Sequence, residues 1–126
     1  MLPATHRMRR SEDFALAVRR GRRAGSAHLA VHLFVPAQSD HPHDLGPARV
    51  GIVVSKAVGT AVTRTRVKRR LRAVASTRLH RFPDGTLAVL RATSASADAT
   101  SATLAADLDS TLDRVMRVAR HRGVGT

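Results

Sequence analysis

RVGIVVSKAVGTAVTRTRVKRRLR, residues 49–72, contains a strand pattern followed directly by a helix pattern. At its start Val50, Ile52 and Val54 occupy alternate positions, which predicts a β-strand over residues 49–55. The small and polar residues that follow are typical of a turn. A strand, a turn and a helix within one short run indicate a domain that combines both kinds of element.

The second half of this run predicts a long basic helix. Thr60 is a candidate N-cap, and we expect the helix to continue to about His80. On a helical wheel Val67, Leu71 and Val74 lie in one narrow sector, which we expect to face the core. Six cationic side chains surround that sector, namely Arg64, Arg66, Lys68, Arg69, Arg70 and Arg72.

The charge of this helix has no compensation nearby in the sequence. Between Asp44 and Asp84 there is no Asp or Glu, although the same stretch contains ten Lys and Arg. Like charges three or four residues apart repel, and each such pair costs an isolated helix roughly 0.2–0.5 kcal/mol. Helices whose charges are merely solvated usually carry both signs. We therefore predict that the helix binds a polyanion with an affinity that falls steeply as salt rises.

The composition of the whole chain agrees with a nucleic-acid partner. The 126 residues suffice for one compact domain, and 22 Lys and Arg against 9 Asp and Glu give a net charge of +13. The absence of cysteine excludes a disulfide framework and a thiolate metal site. Because the N-terminus lacks a signal-peptide core and no run approaches ~18 apolar residues, we expect a cytoplasmic protein without a membrane partner.

Further elements flank the central run on both sides. Ser11 is a candidate N-cap for a first helix that Gly21 closes. Apolar patterns predict two more strands, at residues 27–35 and 86–91, and a last helix whose apolar stripe extends from Leu104 to Ala119. Residues 36–47, rich in Pro and Asp, predict a loop that could be flexible. These elements indicate an α+β fold in which helices pack on a small antiparallel or mixed sheet.

The run at residues 49–72 resembles the signature of the bacterial ribonuclease P protein subunit. In that family a strand ends in Ser-Lys, a turn with glycine follows, and a helix opens with an Arg-x-Arg pair and a basic tail. Four other segments also resemble the family, namely MRRSEDFALAVRRGRRAG, LAVHLFV, TLAVLRA and LAADLDSTLDRV. The resemblance covers nearly the whole chain and implies a single RNA-binding domain over residues 1–126.

The resemblance also implies the fold and the activity. The family fold is a four-stranded sheet packed with three helices in the order αβββαβα, ribosomal S5 domain 2-like, with a left-handed crossover around the basic helix. A catalytic RNA cleaves precursor tRNA to give the mature 5′ end, and the protein is an accessory subunit without catalytic residues. The implied partners are ribonuclease P RNA and precursor tRNA, with no small-molecule ligand. Magnesium is expected to be bound by the RNA, with no metal ligand among the protein side chains.

Residue roles follow from the same resemblance, position by position. The residues that match the family's contacts to the catalytic RNA are Lys56, Arg64, Thr65, Arg66, Lys68, Arg69 and Arg72. Phe14, Val18 and His32 match a cleft that binds the 5′ leader of the precursor. Relatives often have Phe and Tyr at the last two of these positions, so stacking is expected to depend mainly on Phe14. Thr65 stands where the family has Asn, so that a hydroxyl replaces an amide.

Other interpretations are open for several of these residues. Taken alone, Phe14 is typical of a core residue, His32 of a surface histidine and Lys56 of a solvated lysine. The alternative function is a generic nucleic-acid-binding protein, ribosomal or DNA-regulatory, that uses the same arginines. The His-x-His-Asp spacing at residues 41–44 could bind a metal, although it falls in the predicted loop. A membrane-surface peptide fits poorly because the basic helix lacks bulky apolar anchors.

Overall fold

The computed structural model describes residues 2–36 and 46–124, with residues 118–124 by their backbone alone. The helices are α1 (Ser11–Arg20), α2 (Ala61–Ser76) and α3 (Ser101–Val124), and the strands are β1 (Arg22–Gly25), β2 (Leu29–Phe34), β3 (Arg49–Val53) and β4 (Leu87–Ala92). Their order in the chain is αβββαβα, as predicted. Most of the predicted loop at residues 36–47, including the His-x-His-Asp run, lies outside the described residues.

The four strands form one mixed sheet in the order β1-β2-β4-β3. β2 pairs antiparallel with both β1 and β4, whereas β3 pairs parallel with β4. A parallel pair needs a crossover connection, and here α2 lies within it. The prediction of an α+β fold with a four-stranded sheet is confirmed, and the left hand of the crossover stays a prediction.

Helices cover both faces of the sheet. Leu29, Val31 and Leu33 of β2 belong to the larger core, which also contains the apolar sides of α2 and α3. The predicted sector of α2 is buried there, with Val67 and Leu71 fully enclosed. On the opposite face α1 packs over β2 and β4. Because one sheet separates the two layers, the basic helix and the first helix lie on opposite sides of it.

The first helix is closed by a glycine that no other residue could replace without a shift of the backbone. The Gly21 N–H donates to the Ala17 carbonyl at 2.9 Å. A Cβ at position 21 would lie 2.2 Å from that carbonyl oxygen and 2.9 Å from the Leu33 carbonyl oxygen. The predicted N-cap is wrong by one residue: Ser11 is the first helical residue, and Arg10 precedes it without a side-chain cap. Arg10 instead donates to Glu12 at 2.8 Å.

The basic helix is shorter than predicted, because it ends at Ser76 rather than near His80. The Thr77 hydroxyl donates to the Val74 carbonyl at 2.8 Å and satisfies part of the helix terminus. A 3-10 turn at Leu79–Arg81 then leads towards β4. Beyond Thr77, ion pairs from Arg78 and Arg81 hold the segment to α3.

Arg78 forms a two-pronged ion pair with Asp109 of α3, through Nε to Oδ1 at 2.9 Å and Nη2 to Oδ2 at 3.0 Å. This hydrogen bonding lowers the pKa of Asp109 below its ordinary value of 3.8. A depressed pKa in the folded state contributes stability above the unfolded pKa, and that contribution is lost as the pH falls through the folded pKa.

We therefore expect the stability difference between the unchanged protein and an Asp109→Asn variant to narrow on acidification. Denaturant unfolding followed from about pH 5 to about pH 2 measures this difference. The matched control is Asp98→Asn, because Asp98 is exposed and forms no ion pair among the described residues. A difference for Asp109→Asn that stays constant with pH would contradict the prediction.

Candidate nucleic-acid interface

The N-terminus of α2 is fixed by the predicted cap. The Thr63 N–H donates to the Thr60 hydroxyl at 3.3 Å, and Thr60 has extended backbone angles. Since Val67 and Leu71 are enclosed by the core, the cationic side chains lie on the remaining surface of the helix. We call these side chains the α2 ridge, and they are Arg64, Arg66, Lys68, Arg69, Arg70 and Arg72.

No cation of the α2 ridge forms an ion pair with a carboxylate among the described residues, and neither does Lys56. The carboxylates that form ion pairs do so with cations outside the α2 ridge. Glu12 pairs with Arg10, Asp13 with Arg49, Asp107 with His28, Asp109 with Arg78 and Arg81, and Asp113 with Arg81. Asp98 lies next to this surface, between Ala97 and Ala99, but forms no ion pair with it. In the part of the chain described, the ridge is therefore without a paired acid, as the sequence predicted.

Two members of the ridge are held by backbone carbonyls. Arg66 donates to the carbonyl of Ala97 at 3.3 Å, and Arg70 donates to that of Ala99 at 2.7 Å. Both acceptors lie in the segment that precedes α3. Because a guanidinium has five N–H groups, each arginine retains donors for another acceptor. These contacts order the two side chains before any partner binds.

The other members differ in exposure. Arg64 and Lys68 are half-buried, whereas Arg69 and Arg72 are exposed. The Nε of Arg64 is buried and has no hydrogen-bond partner among the described residues. An enclosed cationic donor without a partner is costly unless an acceptor arrives. Of the ridge, Arg64 therefore has the strongest physical reason to meet an external anion.

The first turns of α2 also present a feature that the sequence prediction did not include. Val62 is 77% exposed and lies beside Ala61, Thr65 and Arg69 in a shallow depression. Thr65, the residue that departs from the family pattern, is exposed there. The sequence signal that could have identified this feature was an apolar residue outside the buried sector of the helix. A sugar or base can cover such a side chain while the neighbouring arginine contacts phosphate.

Lys56 lies at the junction of β3 and α2. It is exposed in the 3-10 turn Lys56–Val58, and only Gly59 and Thr60 separate that turn from the helix. The predicted RNA-contacting residues therefore all lie on α2 or immediately before its first turn.

A second surface lies on the other side of the sheet, beneath α1. Phe14 is half-buried there and packs directly over Gly51 of β3. A Cβ at Gly51 would lie 2.4 Å from Cε1 of the Phe14 ring, so the ring occupies space that only glycine leaves free. The ring belongs to the small core cluster of Met8, Ala17, Leu87 and Val89. Phe14 therefore packs as a core residue does and yet remains accessible, and its role in leader binding stays a prediction.

His32 is not the surface residue that its sequence context suggested, since it is 8% exposed. The reason is that α1 covers the face of β2 to which His32 belongs. Burial first, and then the charges of Arg91 and Arg23, lower the pKa of His32 below its ordinary value. Val18, the third residue predicted for this cleft, is 40% exposed on α1. We give the name α1 cleft to the surface that Phe14, Val18 and His32 form where α1 meets this face of the sheet.

Two arginines of the α1 cleft were absent from the sequence prediction. Arg23 of β1 lies opposite His32, and Arg91 of β4 lies opposite Ala30 on the same face. Both are exposed. The sequence signal that could have identified Arg91 was its position inside the apolar run TLAVLRA, because a charged residue is unusual in a central strand.

Among the described residues, no group of three or more His, Asp or Glu side chains could hold a metal ion. In the same part of the chain, every helix is too short or too polar to cross a bilayer.

A sequence model of the family described as Ribonuclease P matches residues 2–116. The chain belongs to the ribonuclease P protein family. A relative from Streptomyces griseus, named ribonuclease P protein component, is 53% identical over 120 residues, covering 92% of this chain and 96% of the relative. A relative of the same name from Rhodococcus opacus is 49% identical over 115 residues, covering 91% of this chain and 92% of the relative.

Solved structures of ribonuclease P proteins have the same fold. The Thermotoga maritima protein has a TM-score of 0.69 at 22% identity, covering 86% of this chain and 96% of that one. The Staphylococcus aureus protein has a TM-score of 0.67 at 21% identity, covering 90% and 94%. The family membership makes this chain the accessory protein subunit of ribonuclease P, an endoribonuclease of tRNA processing.

Proposed function

We propose that the α2 ridge, together with Lys56 and Thr65, binds the catalytic RNA of ribonuclease P, and that the α1 cleft binds the 5′ leader of precursor tRNA. The observation that carries this proposal is the α2 ridge, whose cations have no acid partner among the described residues. A structured RNA supplies phosphates along the whole length of such a helix. The proposed site of action is the cytoplasm.

The second surface suits a single strand rather than a duplex. The α1 cleft combines a half-buried aromatic ring with arginines that remain exposed. Single-stranded nucleic acids bind through stacking on aromatic side chains and through a positively charged groove. The sheet separates the α1 cleft from the α2 ridge, so one RNA and one substrate strand can be bound together.

The chemistry is proposed to belong to the RNA. The protein contributes binding energy for the leader, whereas Mg²⁺ held by the RNA assists the hydrolysis. Glu12 and Asp13 are adjacent in sequence and pair with Arg10 and Arg49, so these carboxylates do not converge on one reacting bond.

Reconstitution with a bacterial ribonuclease P RNA at low magnesium tests the proposal. We expect the protein to increase the rate of leader removal over that of the RNA alone, because protein contacts replace part of the cation requirement. The protein without RNA is expected to leave the precursor intact. An unchanged rate, together with equal binding of unrelated duplex DNA, would favour the generic nucleic-acid-binding protein instead.

A further inference from the structure

The turn that precedes α3 lies within the surface proposed to bind the catalytic RNA. This 3-10 turn, Ser94–Asp98, contacts both α2 and the turn Lys56–Val58. Both of these neighbours contribute cations to the proposed RNA contacts. An RNA that bridges Lys56 and the α2 ridge therefore also passes close to the last residue of the turn, Asp98.

The position of Asp98 is fixed by the residues on either side of it. The Ala97 carbonyl accepts a hydrogen bond from Arg66 at 3.3 Å, and the Ala99 carbonyl accepts one from Arg70 at 2.7 Å. The backbone thus holds Asp98 next to two guanidinium groups of the α2 ridge. A carboxylate so placed can form strong charge-assisted hydrogen bonds with guanidinium groups.

The Asp98 side chain does not make these contacts. It is exposed and forms no ion pair among the described residues. The other residues of its turn are Ser and Ala, so Asp98 is the only charged residue there. Its negative charge is therefore presented to any partner that covers the turn.

A carboxylate within a cationic surface disfavours one class of partner more than others. A nucleic-acid duplex carries one phosphate charge per about 1.7 Å of its axis. The 16 residues of α2 extend over about 24 Å. A regular duplex along the α2 ridge therefore has no gap in its phosphates at Asp98. A folded RNA with an irregular backbone can instead place a sugar or a base edge there.

We propose that Asp98 determines the specificity of the α2 ridge: its carboxylate repels regular duplexes and so favours the irregular fold of the catalytic RNA. This inference rests on the proposed function. It adds the residue by which other polyanions are rejected. Specificity is a difference between two affinities, and a like charge placed against the wrong partner increases that difference without any new contact to the right one.

The test compares two partners of the whole protein at one salt concentration. Labelled ribonuclease P RNA and a labelled regular RNA duplex are each titrated with the unchanged protein and with an Asp98→Asn variant. We expect the variant to bind the duplex roughly fivefold more tightly, because a like-charge contact at about 4 Å in water weakens binding by about that factor. Binding of ribonuclease P RNA is expected to change by less than about twofold, because phosphates farther from the carboxylate are screened by salt.

Asp84→Asn is the matched control for net charge. Asp84 is also exposed and forms no ion pair in the described part of the chain. It precedes β4, whereas Asp98 follows β4, so the length of that strand separates the two acids. This variant is expected to change both affinities by the same small factor. Asp98→Glu, which keeps the charge, is expected to retain the preference of the unchanged protein.

Three results would overturn the role of Asp98. Equal tightening of both partners by Asp98→Asn would show an effect of net charge alone. A loss of affinity for ribonuclease P RNA would show that Asp98 contacts this RNA favourably, and an unchanged affinity for the duplex would show that duplexes do not cover it. The proposed function fails by a different result, namely if Arg64→Ala binds ribonuclease P RNA as tightly as the unchanged protein does.

Discussion

We expect an Arg64→Ala variant to bind ribonuclease P RNA roughly 10- to 150-fold more weakly than the unchanged protein, the range that corresponds to losing a charged hydrogen bond of about 1.5–3 kcal/mol. Arg64 is half-buried, and its Nε is enclosed without a hydrogen-bond partner in the part of the chain that the structure describes. The side chain is therefore ordered before binding, and little conformational entropy remains to be lost. If the α2 ridge binds RNA as proposed, removing Arg64 removes one phosphate contact and leaves the buried sector of α2 intact.

Direct titration of the protein into labelled RNA over a range of salt concentrations measures this effect. If Arg64 contacts one phosphate, the variant's dependence of log affinity on log salt should be shallower by about one unit. Arg117→Ala is the control for net charge, because Arg117 is exposed on α3 and outside the ridge. If Arg117→Ala weakens binding as much as Arg64→Ala does, the affinity reflects overall charge and the α2 ridge is not the binding surface.

The stability of α2 explains how the protein tolerates this ridge. Several like-charge pairs, each costing roughly 0.2–0.5 kcal/mol, sum to about 1–2 kcal/mol. Burying the side chains of Val67, Leu71 and Val74 contributes about 1.5–3 kcal/mol each, which exceeds the repulsion. The core therefore holds in place a charged surface that an isolated helix could not maintain. Binding an anion relieves repulsion that is already present in the folded state.

The sequence patterns predicted the helices and three of the strands, but they did not predict β1. Arg22–Gly25 reads RRAG, which has no apolar alternation. It becomes a strand because its backbone pairs with β2 at the edge of the sheet. That pairing depends on the position of β2 and on the turn at Ser26, whose N–H donates to the Leu29 carbonyl at 2.8 Å. Only the family resemblance therefore predicted four strands. The predicted end of α2 near His80 was wrong because Thr77 and the ion pairs to α3 override the helical pattern.

The two proposed binding surfaces differ in how far the sequence could predict them. The α2 ridge is local, since one helical wheel places its residues relative to the core. The α1 cleft depends on strand register, which brings Arg23 and Arg91 beside His32 from distant parts of the chain. The burial of His32 depends further on where α1 packs. A hydrophobic period of two or of 3.6 residues predicts a strand or a helix, but it predicts neither the strand register nor the packing of α1.

A Phe14→Ala variant is expected to weaken binding of precursor tRNA with a leader by roughly 5- to 150-fold, because stacking contributes about 1–3 kcal/mol per base. Binding of mature tRNA, which lacks the leader, is expected to be unchanged. The comparison is made as equilibrium binding to the complex of protein and ribonuclease P RNA. Equal losses for both substrates would contradict the placement of the leader in the α1 cleft.

The packing of Phe14 requires a control that separates stacking from stability. Phe14→Leu keeps an apolar side chain over Gly51 and beside Met8, so the small core cluster remains filled while the aromatic face is lost. If stacking matters, Phe14→Leu binds the leader nearly as weakly as Phe14→Ala but unfolds at a higher denaturant concentration. Gly51→Ala tests the same geometry from the opposite side, because its Cβ would displace the ring without removing it. A Gly51→Ala variant with full leader affinity would show that the ring's position over β3 is irrelevant to binding.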